Sequence, residues 1–313
     1  MNIDEEKYNL DRIRKVILFI VEGQSEKIIL DLIGDIFNDN RIVFHVVNGD
    51  ISSDNNVTVD NAENKIKMMI ESEIRQYRLK KSDILKVVHI FDMDGAYIPD
   101  EMIKISNDED FYYKDDGIYC KYINRVKSRN SHKREIMNYL TSLDKIAGKY
   151  TYECYYFACN LDHAIYGENN LDNSVKVPKA NIFIESILNI ANYMKCDVNK
   201  GEVFVDYLAL NVANGVPNTY EKSWNYIKEK DNSLQRHTNF HLFFNKMNII
   251  LHYKNFFTII NYSEEDNVYY GKIEGIDSLV NFESKFLSQV DNAFHKAVDD
   301  YISHCDEIDS HED

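Results

Sequence analysis

The chain has 313 residues and a formal net charge of −16, from 36 Lys and Arg against 52 Asp and Glu; 44% of it is hydrophobic and 12% aromatic, with only 11 Gly and 3 Pro. That much apolar material and so few breakers exclude a disordered acidic spacer, a charged tail and a disulfide miniprotein. The charge also argues against a surface that is basic overall, so a polyanion would have to meet a local patch of the opposite sign.

The opening stretch MNIDEEKYNLDR has acids where a secretory leader has a positive segment. The apolar run at 16–21 is far shorter than a bilayer requires, and a cytoplasmic protein without membrane contact is expected. Cys120, Cys154, Cys159, Cys196 and Cys305 are scattered, form no second closely spaced pair for a zinc site, and are expected to be reduced thiols.

In chain order, residues 15–21 form a continuous apolar run of the kind buried on both faces of a parallel sheet. Glu22-Gly23-Gln24-Ser25-Glu26 follows, where Gly23 permits a tight turn and Ser25 a helix cap, and a helix is predicted over 27–37. A strand at 42–47, a helix at about 60–79 and a strand at 84–91 come next, the last running into Asp92-Met93-Asp94-Gly95. This alternation predicts an open α/β sheet, whose site lies at the carboxyl ends of its strands. Over 96–129 the alternation lapses into an insertion with a hairpin, in which 111–113 and 118–122 flank Lys114-Asp115-Asp116-Gly117. A helix at 131–143 and an aromatic strand at 150–158 precede a mainly helical remainder.

In that remainder Leu279, Phe282, Phe286, Val290, Phe294, Val298 and Ile302 make one apolar stripe, to be covered by the body of the protein or by a second copy in a homodimer. The expected division is an α/β region over 1–170 with an insertion at about 96–130, and a mainly helical region over 171–313 ending in an acidic tail.

Glu22, Asp92 and Asp94 are the leading candidate site residues. Two carboxylates one residue apart project to the same side of a strand end, and Glu22 joins them if the first and third strands are close in the sheet. Such hard oxygen donors suit Mg²⁺ or Mn²⁺, which would orient water and stabilise charge during phosphodiester cleavage. The order of the motifs, Glu22-Gly23-x-x-Glu26 after the first strand and Asp92-x-Asp94 after the third, resembles the Toprim family of primases, topoisomerases and nucleases.

The resemblance implies a Toprim-like, mostly parallel sheet with flanking helices, with the metal held by Glu22, Asp92 and Asp94 and with Glu26 as a supporting acid. The long helical second half is unlike a primase or topoisomerase, so the chain is more similar to the stand-alone OLD-like and RloB-like nucleases of bacterial antiphage defence. That implies a DNA or RNA substrate and an ATPase partner. Asn160-Leu161-Asp162-His163, after the fourth strand, stands where those families carry further polar residues: His163 would transfer a proton or touch phosphate, and Asp162 would orient it or approach the metal. A second ion would need Glu26, Asp162 or Asp50 to turn inward.

Two rivals share these residues. Residues 88–95 also resemble the first motif of haloacid-dehalogenase-type phosphatases, but Ala96 replaces the expected threonine, two strands and two helices precede the motif, and Glu22 is left without a role. The other is a Toprim-derived module that binds nucleic acid or an ATPase without catalysis.

Residues 121–149 carry Lys121, Arg125, Lys127, Arg129, Lys133, Arg134, Lys145 and Lys149 against Glu135 and Asp144. With Tyr112, Tyr113 and Tyr119 just upstream and Tyr122 at its start, this segment is either a lane that grips a nucleic-acid strand or a solvated helix face. Arg236 and His237 are candidate phosphate contacts from the helical region, Trp224 is expected to pack in the core, and His241 and His252 read as core or interfacial histidines of helical stretches. No Gly-Lys-Ser/Thr phosphate loop is present, which argues against an ATPase in this chain.

Overall fold

An apolar run with no polar alternation must be covered on both sides, and β1 (Lys15–Val21) is: Val16 through Val21 are each at most 1% exposed. The computed structural model describes residues 15–35, 42–49, 51–108, 110–193, 200–246, 249–276 and 278–309. In it β1 runs parallel to β2 (Ile42–Asn48) on one side and β3 (Ile84–Asp92) on the other. β8 (Tyr150–Phe157) is parallel to β3, and the short β7 (Lys145–Ile146) closes the edge antiparallel, giving the order β2-β1-β3-β8-β7.

Side chains alternate across the sheet with period two. Val16, Leu18 and Ile20 face Ala62, Ile66 and Ile70 of α2 (Val59–Gln76) and Ile136, Met137 and Leu140 of α3 (Ile123–Thr141). Ile17, Phe19 and Val21 face α1 (Gln24–Leu30), α5 (Asn173–Tyr193) and the phenylalanines around α8 (Leu242–Asn245), where the Phe19 ring meets Phe240 at 6.1 Å and Phe243 at 5.5 Å. Most of the C-terminal region therefore covers one sheet face, with Trp224 and Ile227 packed on the other, and a single apolar cluster runs through both parts of the chain.

The insertion is a small sheet of β4 (Ile103–Ile105), β6 (Gly117–Cys120) and β5 (Tyr112–Lys114), with the expected hairpin closing at Lys114 and Gly117. Gly117 has φ +148°, and a Cβ there would come within 2.1 Å of the Met102 carbonyl oxygen, so this strand start requires glycine.

Helices α5, α6 (Lys200–Tyr207) and α7 (Tyr220–Ile227) give the second region its helical character. A four-stranded antiparallel sheet not anticipated from the sequence then intervenes: β9 (Ile249–Tyr253), β10 (Phe256–Ser263), β11 (Val268–Lys272) and β12 (Asn281–Ser284). Its first two turns carry positive φ on Lys254 (53°) and Asn267 (56°) rather than on glycine, so the usual glycine signal is missing there, while the longer connection from β11 to β12 has Gly275 at φ +78°. His252 lies in β9, opposite Phe257, and is exposed, so it is neither in a helix nor in the core.

The final helix, α9, spans Val290–Asp309; Val290, Phe294 and Val298 are buried on the chain's own core. The front of the expected stripe is not helical, with Leu279 76% exposed and Phe282 in β12. No described helix is long and apolar enough to cross a membrane. Cys120, Cys154 and Cys159 are buried free thiols and Cys305 is a half-buried one, while Cys196 lies outside the described residues.

Two imidazoles sit in this core. Burial, aided by the charge of Lys133, pushes the His89 pKa down to about 3, and burial alone takes His241 down to about 4. The folded protein leaves both neutral where the unfolded chain protonates them. Their contribution to stability is thus fully present above about pH 6.5 and is lost as pH falls towards about 4 and 3, at up to about 1.4 kcal/mol per pH unit for each histidine. Urea unfolding at several pH values between about 7 and 5 is expected to show this slope, and His89→Gln to reduce it by one proton.

Candidate functional site

The adjacency of β1 and β3 puts Glu22 and Asp92 at neighbouring carboxyl ends. Glu22 follows β1 directly, and its Oε1 accepts a hydrogen bond from the Ser52 hydroxyl in the loop after β2 (2.5 Å). Glu26, 6% exposed in the first turn of α1, folds back over Gly23, where an added Cβ would stand 2.4 Å from its Oε2. The carboxylate thus occupies the space that the missing side chain of Gly23 leaves open. Asp92 ends β3, and its Oδ1 accepts from the backbone N–H of Leu161 at the start of α4 (Leu161–Tyr166; 3.0 Å).

Asp94 is not a strand residue projecting beside Asp92. It occupies a left-handed turn, φ +50°, with Gly95 following at +65°. The turn is fixed by N–H bonds from Asp94 to the Cys159 carbonyl (2.6 Å) and from Gly95 to the Ser233 carbonyl (3.2 Å). The two aspartates come together through this turn.

Across from them, α3 delivers cations. The Lys133 side chain is 0% exposed, and its Nζ donates to Asp94 Oδ2 at 2.5 Å and Ser53 Oγ at 3.0 Å and pairs with Glu22 Oε2 at 3.4 Å. Burial works against the ammonium, but Asp94 and Glu22 outweigh it and hold Lys133 charged. Arg129, one turn earlier, donates to the Asp94 carbonyl (2.8 Å) and to the Tyr113 hydroxyl (3.0 Å), which itself donates to Asp94 Oδ1 (3.0 Å).

The two aspartates consequently titrate in opposite directions. For Asp94 burial is overcome by Lys133 and Arg129, and its carboxyl is lowered. Asp92 is raised well above the usual carboxylate range, first by burial and then by the charges of Glu26, Glu22 and Asp94. That repulsion marks four carboxylates sharing one region.

Other expected residues are dispersed. Asp162 is buried and bridged by Lys176 (2.8 Å), whose charge also feels Glu26 and Asp92, so this pair flanks the acids. His163 stands apart from the four acids: burial lowers its pKa, and the charges acting on its imidazole are Asp115, Arg236 and His237. Arg236 caps α4, donating to the carbonyls of Ala164 (2.8 Å) and Ile165 (3.2 Å) and to the Tyr207 hydroxyl. Its guanidinium is engaged inside the fold instead of facing a phosphate.

Lys127 pairs with Asp100 (2.8 Å) and Arg134 donates to the Ala96 carbonyl (2.8 Å), whereas Arg125 is exposed. Trp224 packs in the core as expected, with Nε1 donating to the Cys154 carbonyl (3.2 Å). Asp50 lies outside the described residues.

Sequence reading did not single out Ser52, Ser53 or Lys176, and it took Tyr113 only as a stacking residue. The serines follow a strand adjacent to β1, so the strand-end rule was a usable signal for them; nothing in the local sequence marks Lys176.

Among the described residues, no group of three or more His, Cys, Asp and Glu side chains stands in position to hold a metal ion. The donor set is right in kind for a hard divalent cation, being all carboxylate and mutually repelling, but Asp94 and Glu22 direct oxygens at the Lys133 ammonium. No family model, no curated protein and no solved structure matches the chain.

The opposed titrations give a stability test in metal-free buffer. Asp92→Asn removes a repelled carboxylate and is expected to leave unfolding free energy unchanged or raise it by about 1 kcal/mol. Asp94→Asn takes the nearer partner from a buried ammonium and is expected to cost about 3 kcal/mol. Equal losses in thermal or urea unfolding would contradict this description of the acids.

Proposed function

We propose that the chain is a Toprim-like, divalent-metal-dependent nuclease acting on DNA or RNA, and that it serves as an effector of antiphage defence. What carries this reading is the convergence of Glu22, Glu26, Asp92 and Asp94 at the carboxyl ends of two adjacent parallel strands, faced by Lys133 and Arg129 from one helix. The proposed ligands are Glu22, Asp92 and Asp94, and the ion, Mg²⁺ or Mn²⁺, supplies Lewis-acid polarisation of phosphate and a more acidic bound water. Glu26 and Asp162 stand beside these three as supporting acids.

The protein's own groups do the rest. Lys133, fully buried, orients the Glu22 and Asp94 carboxylates, and Arg129 keeps the Asp94 turn in place through its carbonyl. In the metal-free protein Asp92 takes up a proton before Asp94 as pH falls, so protons and the ion would compete first at Asp92. His163 has no part in this mechanism, since the charges acting on it are Asp115, Arg236 and His237.

The closure of Glu22 and Asp94 on Lys133 favours one second reading, a non-catalytic module that binds nucleic acid or an ATPase partner. A cleavage panel of single- and double-stranded DNA and RNA with Mg²⁺ or Mn²⁺, run with and without candidate ATPases, separates the two. The nuclease reading expects at least one substrate to be cut and Asp92→Ala to lower the rate about a hundredfold or more. No cleavage in any arm, with binding retained, selects the module.

A further inference from the structure

α3 begins eight residues before its sequence-predicted start, and this places Arg125, Arg129 and Lys133 at successive i, i+4 positions on one face. They form a graded line: Lys133 is buried among the acids, Arg129 is half-buried, and Arg125 is exposed. Beside the outer half of this line lies a cleft of about 470 Å³, lined by Ser53, Asn55, Phe111, Arg125, Arg129 and His132 among others. Its lining contains two arginines and no carboxylate, although the chain carries a net charge of −16. The cleft on the antiparallel sheet, by contrast, carries Asp266, Glu274 and Glu283.

The cleft shares walls with the acidic centre. Ser53 accepts from Lys133 at 3.0 Å, and Arg129 donates to the Asp94 carbonyl at 2.8 Å. Phe111, 39% exposed, has the Arg129 guanidinium 4.7 Å from its ring centroid, which holds an aromatic surface and a cation at the mouth together.

We infer that this cleft binds one unpaired nucleotide of a polynucleotide strand, with Arg125 on its phosphate, the charge of the internally bonded Arg129 behind it and Phe111 against its base, next to the phosphate presented to the acidic centre. The inference rests on the nuclease reading only for that last clause. A cavity of 470 Å³ has the size that takes one small-molecule-sized group and not a duplex, so a base must be unstacked to enter. Contacts limited to charge and a π-face predict tolerance of base identity and a preference for single strands.

The test is fluorescence-anisotropy binding of the full chain to labelled single-stranded DNA and RNA of about 12 nucleotides and to the matching duplexes, in EDTA and in Ca²⁺. The expected result is single-strand binding about tenfold tighter than duplex binding, weakened about tenfold by Phe111→Ala and more by Arg125→Glu. Both positions have exposed side chains, and unchanged thermal unfolding confirms folded variants. Equal affinity for duplex, or single-strand binding untouched by both substitutions, overturns the inference even if Asp92→Ala abolishes cleavage. A wild-type chain that cuts nothing, yet binds single strands through Phe111 and Arg125, leaves the cleft standing and removes the hydrolytic reading.

Discussion

Lys133 carries a full positive charge with none of its side chain exposed, and an ammonium in that position is tolerable only if its surroundings return what water would have supplied. Asp94, Glu22 and Ser53 do so from the end of β1 and from the loops after β2 and β3. The same helix is tied to the Asp94 turn at several successive points: Arg129 to the Asp94 carbonyl, Asn130 to that of Gly95 and Arg134 to that of Ala96. A left-handed aspartate costs roughly 1 kcal/mol or more, and such a conformation persists where neighbouring groups over-determine it. The position of α3 and the shape of the acidic centre therefore depend on each other.

The net charge of −16 gives no hint of this arrangement, because the relevant distribution is local. Four acids gather on one side of α3's cationic line, while the outer cleft along that line has none in its lining. A strand approaching such a surface meets positive charge first and carboxylates last. With charges this close, the immediate neighbours outweigh the screened average of the whole surface.

The C-terminal region matters to the site through packing. Residues 233–239 run along the end of β8, with Ala158 donating to the His237 carbonyl (2.8 Å), Cys159 to that of Ser233 (2.8 Å) and Thr238 to that of Tyr156 (2.7 Å). This strip also receives the Gly95 N–H, so the turn bearing Asp94 is buttressed from the second half of the chain. Arg236 belongs to the same brace, because its bonds to the last carbonyls of α4 hold the segment whose first N–H meets Asp92.

Period-two and continuous apolar runs identified β1, β3 and β8 and the hairpin at 112–120, because strand burial is written in neighbouring residues. The strand-end rule likewise marked Glu22, Asp92 and Asp94 as candidates. Three things were decided only in three dimensions. The early start of α3 aligned Arg125, Arg129 and Lys133, and a tyrosine-rich insertion with no helical periodicity before it concealed that start. The antiparallel sheet of β9 to β12 was hidden by turns that place positive φ on Lys254 and Asn267.

The orientations of His163 and Arg236 were set by which faces of α4 and of the 233–239 strip the core covered. By itself the sequence determined where acids and strands occur, which is a matter of local pattern. The tertiary structure decided which cation meets which acid, since that depends on the packing of segments distant in the chain, Lys133 lying 39 residues from Asp94 and 111 from Glu22.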